Sequence, residues 1–231
     1  MVPDPGPGVC PVCRGPARPG LRSCFACREV ARRIGTVLAP VVPVRLCPLP
    51  GPLYTVLLGY KESPVAEARL RFGAIVRALL RSFLLADPAR LEAQVGGPFD
   101  LALPVPSTHR PGVAPLGRVD GLGHDVGAAL PGTRWAPDLL RRGDAEGGSP
   151  PLAHMWPDPA AFIPCPRERR VVDGARVLLL DDTYVSGARS QSAAAALRRA
   201  GARSTLVVPL GRVLRPDRVA LHADFLRRHA A

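Results

Sequence analysis

The chain contains the stretch Arg176-Val-Leu-Leu-Leu-Asp-Asp-Thr-Tyr-Val-Ser-Gly-Ala-Arg189, followed after a run rich in Ala by Ser204-Thr-Leu-Val-Val-Pro-Leu210. The apolar runs at 176–180 and 204–210 predict two buried strands, and residues 188–200 between them predict a helix. Residues 181–187 are predicted as a loop. Because a strand, a helix and a strand in this order form a crossover unit, the two strands should be parallel. The sequence thus predicts an α/β fold with a parallel sheet flanked by helices.

Two carboxylates, Asp181 and Asp182, follow the first of these strands directly. Ligands of parallel α/β sheets bind at the carboxyl ends of the strands. Carboxylates at that place can accept hydrogen bonds from ribose hydroxyls or hold Mg²⁺ through water. The unpaired amides at the start of the next helix, from Gly187 to Ser190, form an anion site together with the helix dipole. The alternative is an ordinary helix N-cap, which explains one acidic residue but not two after an apolar strand.

The stretch 178–189 resembles the signature of type I phosphoribosyltransferases, which bind 5-phosphoribosyl 1-diphosphate (PRPP). The resemblance implies that Asp181 and Asp182 hold the ribose hydroxyls and take part in catalysis. It implies that the following loop cradles the 5′-phosphate through Thr183, Ser186, Gly187, Ala188, Arg189 and Ser190. The stretch departs from the signature at Val185, where a hydroxyl residue is expected, and at Arg189, where Thr is expected. Arg189 can replace the missing hydroxyl by its charge or can point away.

Four of the six cysteines form two C-x2-C pairs, Cys10 with Cys13 and Cys24 with Cys27. Two such pairs present four thiolates, which suits tetrahedral Zn²⁺ in a structural, zinc-ribbon-like module. A disulfide scaffold is the rival interpretation, but the N-terminus has no secretion signal to support it. Cys47 and Cys165 have no spaced partners and are predicted to be small apolar residues of the core.

A four-cysteine module followed by a phosphoribosyltransferase-like core resembles the competence protein ComF family, of which this chain would be a divergent member. The order implies a zinc-binding module with a short helix over residues 1–39, a Pro-rich linker over 40–52 and a phosphoribosyltransferase-like domain over 53–231. The domain is expected to begin with a strand at 53–58 and a helix at 65–84, and to include a short strand at 101–105.

Lys61 is the only lysine in a chain with 31 Lys and Arg residues. A compact ammonium group near a diphosphate differs in chemistry from the planar guanidinium of Arg, so Lys61 is a candidate catalytic residue. A solvated lysine before a helix is the equally weighted alternative. Arg110 lies where the resemblance places a diphosphate-binding loop. In a transfer reaction, Mg²⁺, Lys61 and Arg110 would stabilise the leaving diphosphate.

The net charge of +12 predicts an anionic partner, either a phosphorylated small molecule or nucleic acid. Codon bias towards Arg explains the same charge without any partner. Three functions remain open: transfer of phosphoribosyl from PRPP to an unknown acceptor, non-catalytic sensing of PRPP or a nucleotide, and single-stranded DNA binding as an accessory of the competence machinery. No apolar run is long enough to span a membrane, and a cytoplasmic location is expected.

Overall fold

The computed structural model describes residues 2–106, 114–142 and 156–229. The apolar runs around 176–184 and 204–214 form the two central strands of a five-stranded sheet. All neighbouring strands of this sheet are parallel, in the order β1-β7-β6-β2-β3, and β4 and β5 form a separate antiparallel pair. The strands are β1 (Arg45–Pro48), β2 (Leu101–Pro104), β3 (Arg134–Trp135), β4 (Leu140–Arg142), β5 (Phe162–Pro164), β6 (Arg176–Tyr184) and β7 (Ser204–Leu214).

Helices cover both faces of the sheet. They are α1 (Phe25–Ile34), α2 (Pro52–Glu62), α3 (Ala66–Ala86), α4 (Pro88–Ala93), α5 (Leu122–Ala129), α6 (Arg169–Val172), α7 (Ala188–Arg199) and α8 (Ala220–His229). Over the described part of the chain, no helix has both the length and the apolar character needed to cross a bilayer. The structure confirms the predicted α/β class with a parallel sheet between helices.

Side chains of β6 alternate between two buried clusters, as expected of a central strand. Val177 and Leu179 pack in one cluster with the Ala-rich face of α7 and with the four cysteines near the N-terminus. Leu178 and Leu180 pack on the opposite face, in the cluster that contains Leu80 of α3 and buried residues of α2 and α5. The sheet is apolar on both faces because both are covered, which explains the continuous apolar runs in the sequence.

The strand predicted at 53–58 is wrong, because these residues lie in α2. Pro52 stands at the first position of the helix, where its missing N–H costs nothing, and Leu57 and Tyr60 share the buried face. The edge strand β1 lies earlier, inside the stretch predicted as a linker, and pairs with β7. Proline is tolerated there because an edge strand has one side without a ladder partner.

The loop predicted at 181–187 is shorter than expected. β6 continues through both aspartates to Tyr184, so only residues 185–187 separate it from α7. The helix predicted at 188–200 and the short strand predicted at 101–105 are confirmed to within one residue. The long helix predicted at 65–84 is confirmed as α3.

Removing a central core side chain tests this packing. Leu179→Ala should lower the free energy of unfolding by about 2–5 kcal/mol, because Leu179 is fully buried between sheet and helix. Leu70→Ala is the matched control, since Leu70 on α3 is 73% exposed and the change should cost less than about 0.5 kcal/mol. Urea unfolding measures both, and equal losses in the two variants would contradict the assigned core.

Candidate functional site

The two aspartates at the end of β6 point to opposite faces of the sheet. They are neighbours on one strand, so Asp181 continues the face of Leu179 and Asp182 continues the face of Leu180. Both residues are buried, with 3% and 5% of their surface exposed. A buried carboxylate requires compensating donors, and each aspartate finds them on the helix that covers its own face.

Asp181 is held by the first turn of α7. The Ser190 hydroxyl donates to Asp181 Oδ2 at 2.6 Å, and Arg189 Nη2 donates to Asp181 Oδ1 at 3.0 Å. The backbone amide of Asp182 also donates to Oδ1, at 2.9 Å. Both oxygens of Asp181 are therefore engaged.

Asp182 is held by the last turn of α2. The Tyr60 hydroxyl donates to Asp182 Oδ2 at 2.9 Å, and the Lys61 ammonium forms an ion pair with the same oxygen. Thr183 Oγ1 donates to Asp182 Oδ1 at 3.0 Å, and Arg189 Nη2 reaches that oxygen at 3.4 Å. One guanidinium thus bridges the two carboxylates.

Burial and charge act against each other on this cluster. Burial raises the pKa of Asp181, and the nearby Arg189 charge opposes the rise without cancelling it. Burial also disfavours ionisation of Asp182, but the charges of Lys61 and Arg189 outweigh it and lower the pKa of Asp182 to about 2. Burial and the Asp182 charge hold the pKa of Tyr60 well above its usual value, so Tyr60 acts as a hydrogen-bond donor.

Arg189 does not point away from the site. Its side chain turns back onto Asp181 and Asp182, and its Nε is buried without a hydrogen-bond partner. The carboxylates raise the pKa of Arg189 further, which keeps it charged. The arginine at the expected Thr position therefore neutralises the aspartates.

Gly187, the residue before α7, adopts a left-handed conformation with φ of 83°. A Cβ at this position would collide with the Tyr184 ring. The close approach of that ring is sufficient reason for glycine, so the residue type alone does not identify a phosphate site. The Ser186 hydroxyl accepts a hydrogen bond from the Ala188 amide at 3.3 Å.

A cleft of about 940 Å³ opens beside the cluster. Asp182 and Arg189 line one side of it. Helices α2 and α3 and the turn at Pro115–Arg118 form much of the rest. Its charged lining residues are the cations Lys61, Arg69, Arg77, Arg118 and Arg189 and the acids Glu62, Asp120 and Asp182.

The structure brings together only some of the predicted site residues. Lys61 meets Asp182 as an ion pair, although it comes from a helix and not from the end of a strand. Asp182 and Arg189 line the cleft, whereas Ser186, Gly187, Ala188 and Ser190 are not among its lining residues. Arg110 lies outside the described residues. Tyr60 was not predicted as a site residue. Recognising 52–62 as a helix would have placed Tyr60 and Lys61 together in its last turn, at the carboxyl edge of the sheet.

The four cysteines of the two C-x2-C pairs form a second candidate site. Their sulfur atoms all lie within 4.8 Å of one another, and all four residues are buried. The sulfurs of Cys13 and Cys24 are 3.7 Å apart, close to the edge of a tetrahedron of about 3.8 Å that Zn–S bonds of about 2.3 Å would give. That separation is longer than the S–S bond of a disulfide. The Cys24 amide donates to Cys10 Sγ at 3.4 Å. The cluster can hold a structural metal ion such as zinc.

The surroundings of the cysteines also fit a metal ion. A divalent ion with four thiolates carries a net charge of about −2, which a buried site must balance. Two buried arginines, Arg14 and Arg212, lie within electrostatic range of the thiols. Positive charge that could balance a thiolate-bound metal therefore comes from the module, through Arg14, and from β7, through Arg212.

Comparison with known proteins found no significant match among family models, curated proteins or solved structures. The assignment to the ComF family stays a prediction from the quoted residues.

Metal content tests the cysteine cluster. The purified, reduced protein should carry about one metal ion per chain, and Cys13→Ser should reduce this to near zero because one of four ligands is lost. Cys165→Ser is the control, since Cys165 lies outside the cluster. Elemental analysis that finds no metal in the unmodified protein would contradict the assignment.

The low pKa of Asp182 predicts a pH-dependent contribution to stability. Its folded-state pKa of about 2 lies below the usual 3.8, so the contribution is present above about pH 4 and is lost as the pH falls towards 2. The shift corresponds to about 2 kcal/mol. The stability advantage over Asp182→Asn, measured by urea unfolding, should shrink by about this amount between pH 5 and pH 2. A constant difference would show that Asp182 is not held ionised by Lys61 and Arg189.

Proposed function

We propose that the protein binds a phosphoribosyl compound, PRPP or a nucleoside 5′-phosphate, in the cleft at the carboxyl edge of its sheet. One observation carries the proposal: Asp182, at the end of β6, lies with Lys61 and Arg189 at the wall of an open cleft. Carboxylates accept hydrogen bonds from the vicinal hydroxyls of ribose, and the two cations bind phosphate. The assignment of the fold to the phosphoribosyltransferase type is part of the same proposal.

The charge of the cleft supports an anionic ligand. Arg77 is already paired with the buried Asp125, through Arg77 Nε at 2.6 Å. Arg69 donates instead to the backbone carbonyls of Ser63 and Pro64, and no carboxylate in the described part of the chain forms an ion pair with it. The described lining residues consequently favour a phosphorylated compound over a neutral sugar.

The start of α7 supports a position for the 5′-phosphate. Within the described ranges, the amides of Arg189 and Ser190 have no acceptor in the chain, and the dipole of this 12-residue helix favours an anion there. Of residues 187–190, Arg189 is the one that lines the cleft, so a phosphate in the cleft would lie beside its guanidinium. It would compete with Asp181 and Asp182 for this cation and thereby release Asp182, which lines the cleft, to the ribose.

The hydrogen bonds and ion pairs around the two aspartates favour ligand binding without catalysis over phosphoribosyl transfer. Every oxygen of Asp181 and Asp182 already accepts a hydrogen bond or an ion pair. Lys61 and Arg189 already neutralise the two carboxylates as ion pairs, which weakens their attraction for Mg²⁺. We therefore place non-catalytic sensing of a phosphoribosyl compound before phosphoribosyl transfer, and a competence-related role remains part of the proposal. Single-stranded DNA binding stays a prediction from the net charge.

We propose that zinc is the metal of the cysteine cluster. Four thiolates in a tetrahedral arrangement suit Zn²⁺, and a closed set of four protein ligands is typical of a structural and not a catalytic site. The cysteines would hold the ion, and the ion would stabilise the N-terminal module.

Calorimetric titration tests the ligand assignment. The unmodified protein should bind PRPP, a nucleoside 5′-monophosphate and inorganic phosphate. The double variant Asp181→Asn with Asp182→Asn should bind the two ribose-containing ligands about tenfold or more weakly, because contacts to hydroxyls are lost, and should retain phosphate binding.

Asp217→Asn is the matched control, since this carboxylate is half exposed and lies outside the cleft. Equal affinities for all three ligands in the double variant and the control would place the ligand site elsewhere. Absence of binding by the unmodified protein would refute the proposed function itself.

A further inference from the structure

Arg212 of β7 joins two parts of the molecule that the sequence keeps far apart. Its side chain is buried, and its Nη1 donates to the carbonyl oxygens of Tyr184 and Val185, each at 2.9 Å. These carbonyls end β6 and lead into Ser186 and α7. One guanidinium therefore fixes the backbone from which the candidate phosphate loop begins.

The other side of the same guanidinium faces the cysteine module. A Cβ on Gly15, two residues after Cys13, would lie 2.7 Å from Arg212 Nε and 2.8 Å from Nη2. Gly15 is thus required for the close approach of the arginine to the first C-x2-C turn. Arg212 Nε is buried without a hydrogen-bond partner.

The guanidinium of Arg212 packs against the first C-x2-C turn, at Gly15. Among the described residues no acid forms an ion pair with Arg212. A buried cation without a counter-charge is costly. Cysteine ligands of a metal ion would place negative charge beside the turn against which the guanidinium packs.

A second set of polar contacts joins α7 to the backbone that follows the cysteines. The side chain of Gln191 in α7 exchanges two hydrogen bonds of 2.9 Å with the backbone of Ala39. Two residues further along, the Val41 amide donates to the carbonyl of Val12, between the first two cysteines. The segment that carries the cysteines is therefore also connected to α7, the helix that follows the loop at 185–187.

We propose that Arg212 is a positioning residue through which the metal-loaded cysteine cluster holds residues 184–190 in the geometry that binds the ligand phosphate. The inference rests on the proposed function for the identity of the ligand. Loss of the metal frees the two C-x2-C turns from one another, so the turn at Gly15 no longer holds the guanidinium in place. The guanidinium then withdraws from the carbonyls of Tyr184 and Val185, and the loop loosens although it touches no metal.

The test compares Gly15→Ala with Gly6→Ala in the full-length, metal-loaded protein. The added methyl at Gly15 displaces the Arg212 guanidinium and leaves all four cysteines in place. The added methyl at Gly6 lies in the same module in open space, with nothing within 4 Å. Hydrogen–deuterium exchange of residues 184–191, phosphate and PRPP affinity by calorimetry, and metal content are measured for both variants and for chelator-treated unmodified protein.

We expect Gly15→Ala to retain about one metal per chain, to exchange about tenfold faster over 184–191 and to bind phosphate about tenfold more weakly. Gly6→Ala should match the unmodified protein in all three measurements. Chelation should produce the same local loosening; if it unfolds the whole chain, Gly15→Ala alone decides.

Exchange rates in Gly15→Ala that equal those of Gly6→Ala would overturn the inference. If the unmodified protein binds neither phosphate nor PRPP, the proposed function is wrong, and the exchange measurement decides the coupling by itself. Arg212→Lys provides a further check, because it retains the charge but shortens the side chain and loses the fork that reaches the loop carbonyls. It should retain the metal and lose the exchange protection.

Discussion

The structure depends on neutralising two adjacent carboxylates at the end of a buried strand. Asp181 and Asp182 follow four fully buried apolar residues, and leaving either charge unpaired would cost several kcal/mol. Strand geometry sends the two side chains to opposite faces, so each needs its own helix: α7 supplies Ser190 and Arg189, and α2 supplies Tyr60 and Lys61. The pair thereby links both helical layers to the end of the central strand.

The cysteine module is connected to the loop at 185–187 through Arg212 of β7. Its four sulfurs belong to the same buried cluster as the sheet and α7, so the module is part of the core and not an appendage. Arg212 packs against Gly15 of the module and donates to the carbonyls of Tyr184 and Val185 at the end of β6. The loop at 185–187 consequently lies between the start of α7, which the acidic cluster holds, and the end of β6, which Arg212 holds.

Local patterns predicted the parts of the fold whose periodicity has one interpretation. The apolar run before Asp181, the Ala-rich helix after it and the amphipathic helix α3 all appear as expected. The run at 53–58 fits either a short buried strand or a helix, and packing against β1 and α3 decides for the helix. The direction of Arg189 and the partner of Lys61 could not be predicted, because both depend on contacts between residues more distant than any local pattern spans.

The central claim is that a ligand phosphate takes Arg189 from the two aspartates. Calorimetric titration of Arg189→Thr with inorganic phosphate tests it most directly, with Arg203→Thr, an exposed site beyond the end of α7, as the control. The account predicts about tenfold to hundredfold weaker phosphate binding for Arg189→Thr, since a charge-assisted hydrogen bond is lost, and no change for the control. Unchanged or tighter phosphate binding by Arg189→Thr would contradict it and would show that Arg189 serves only to neutralise Asp181 and Asp182.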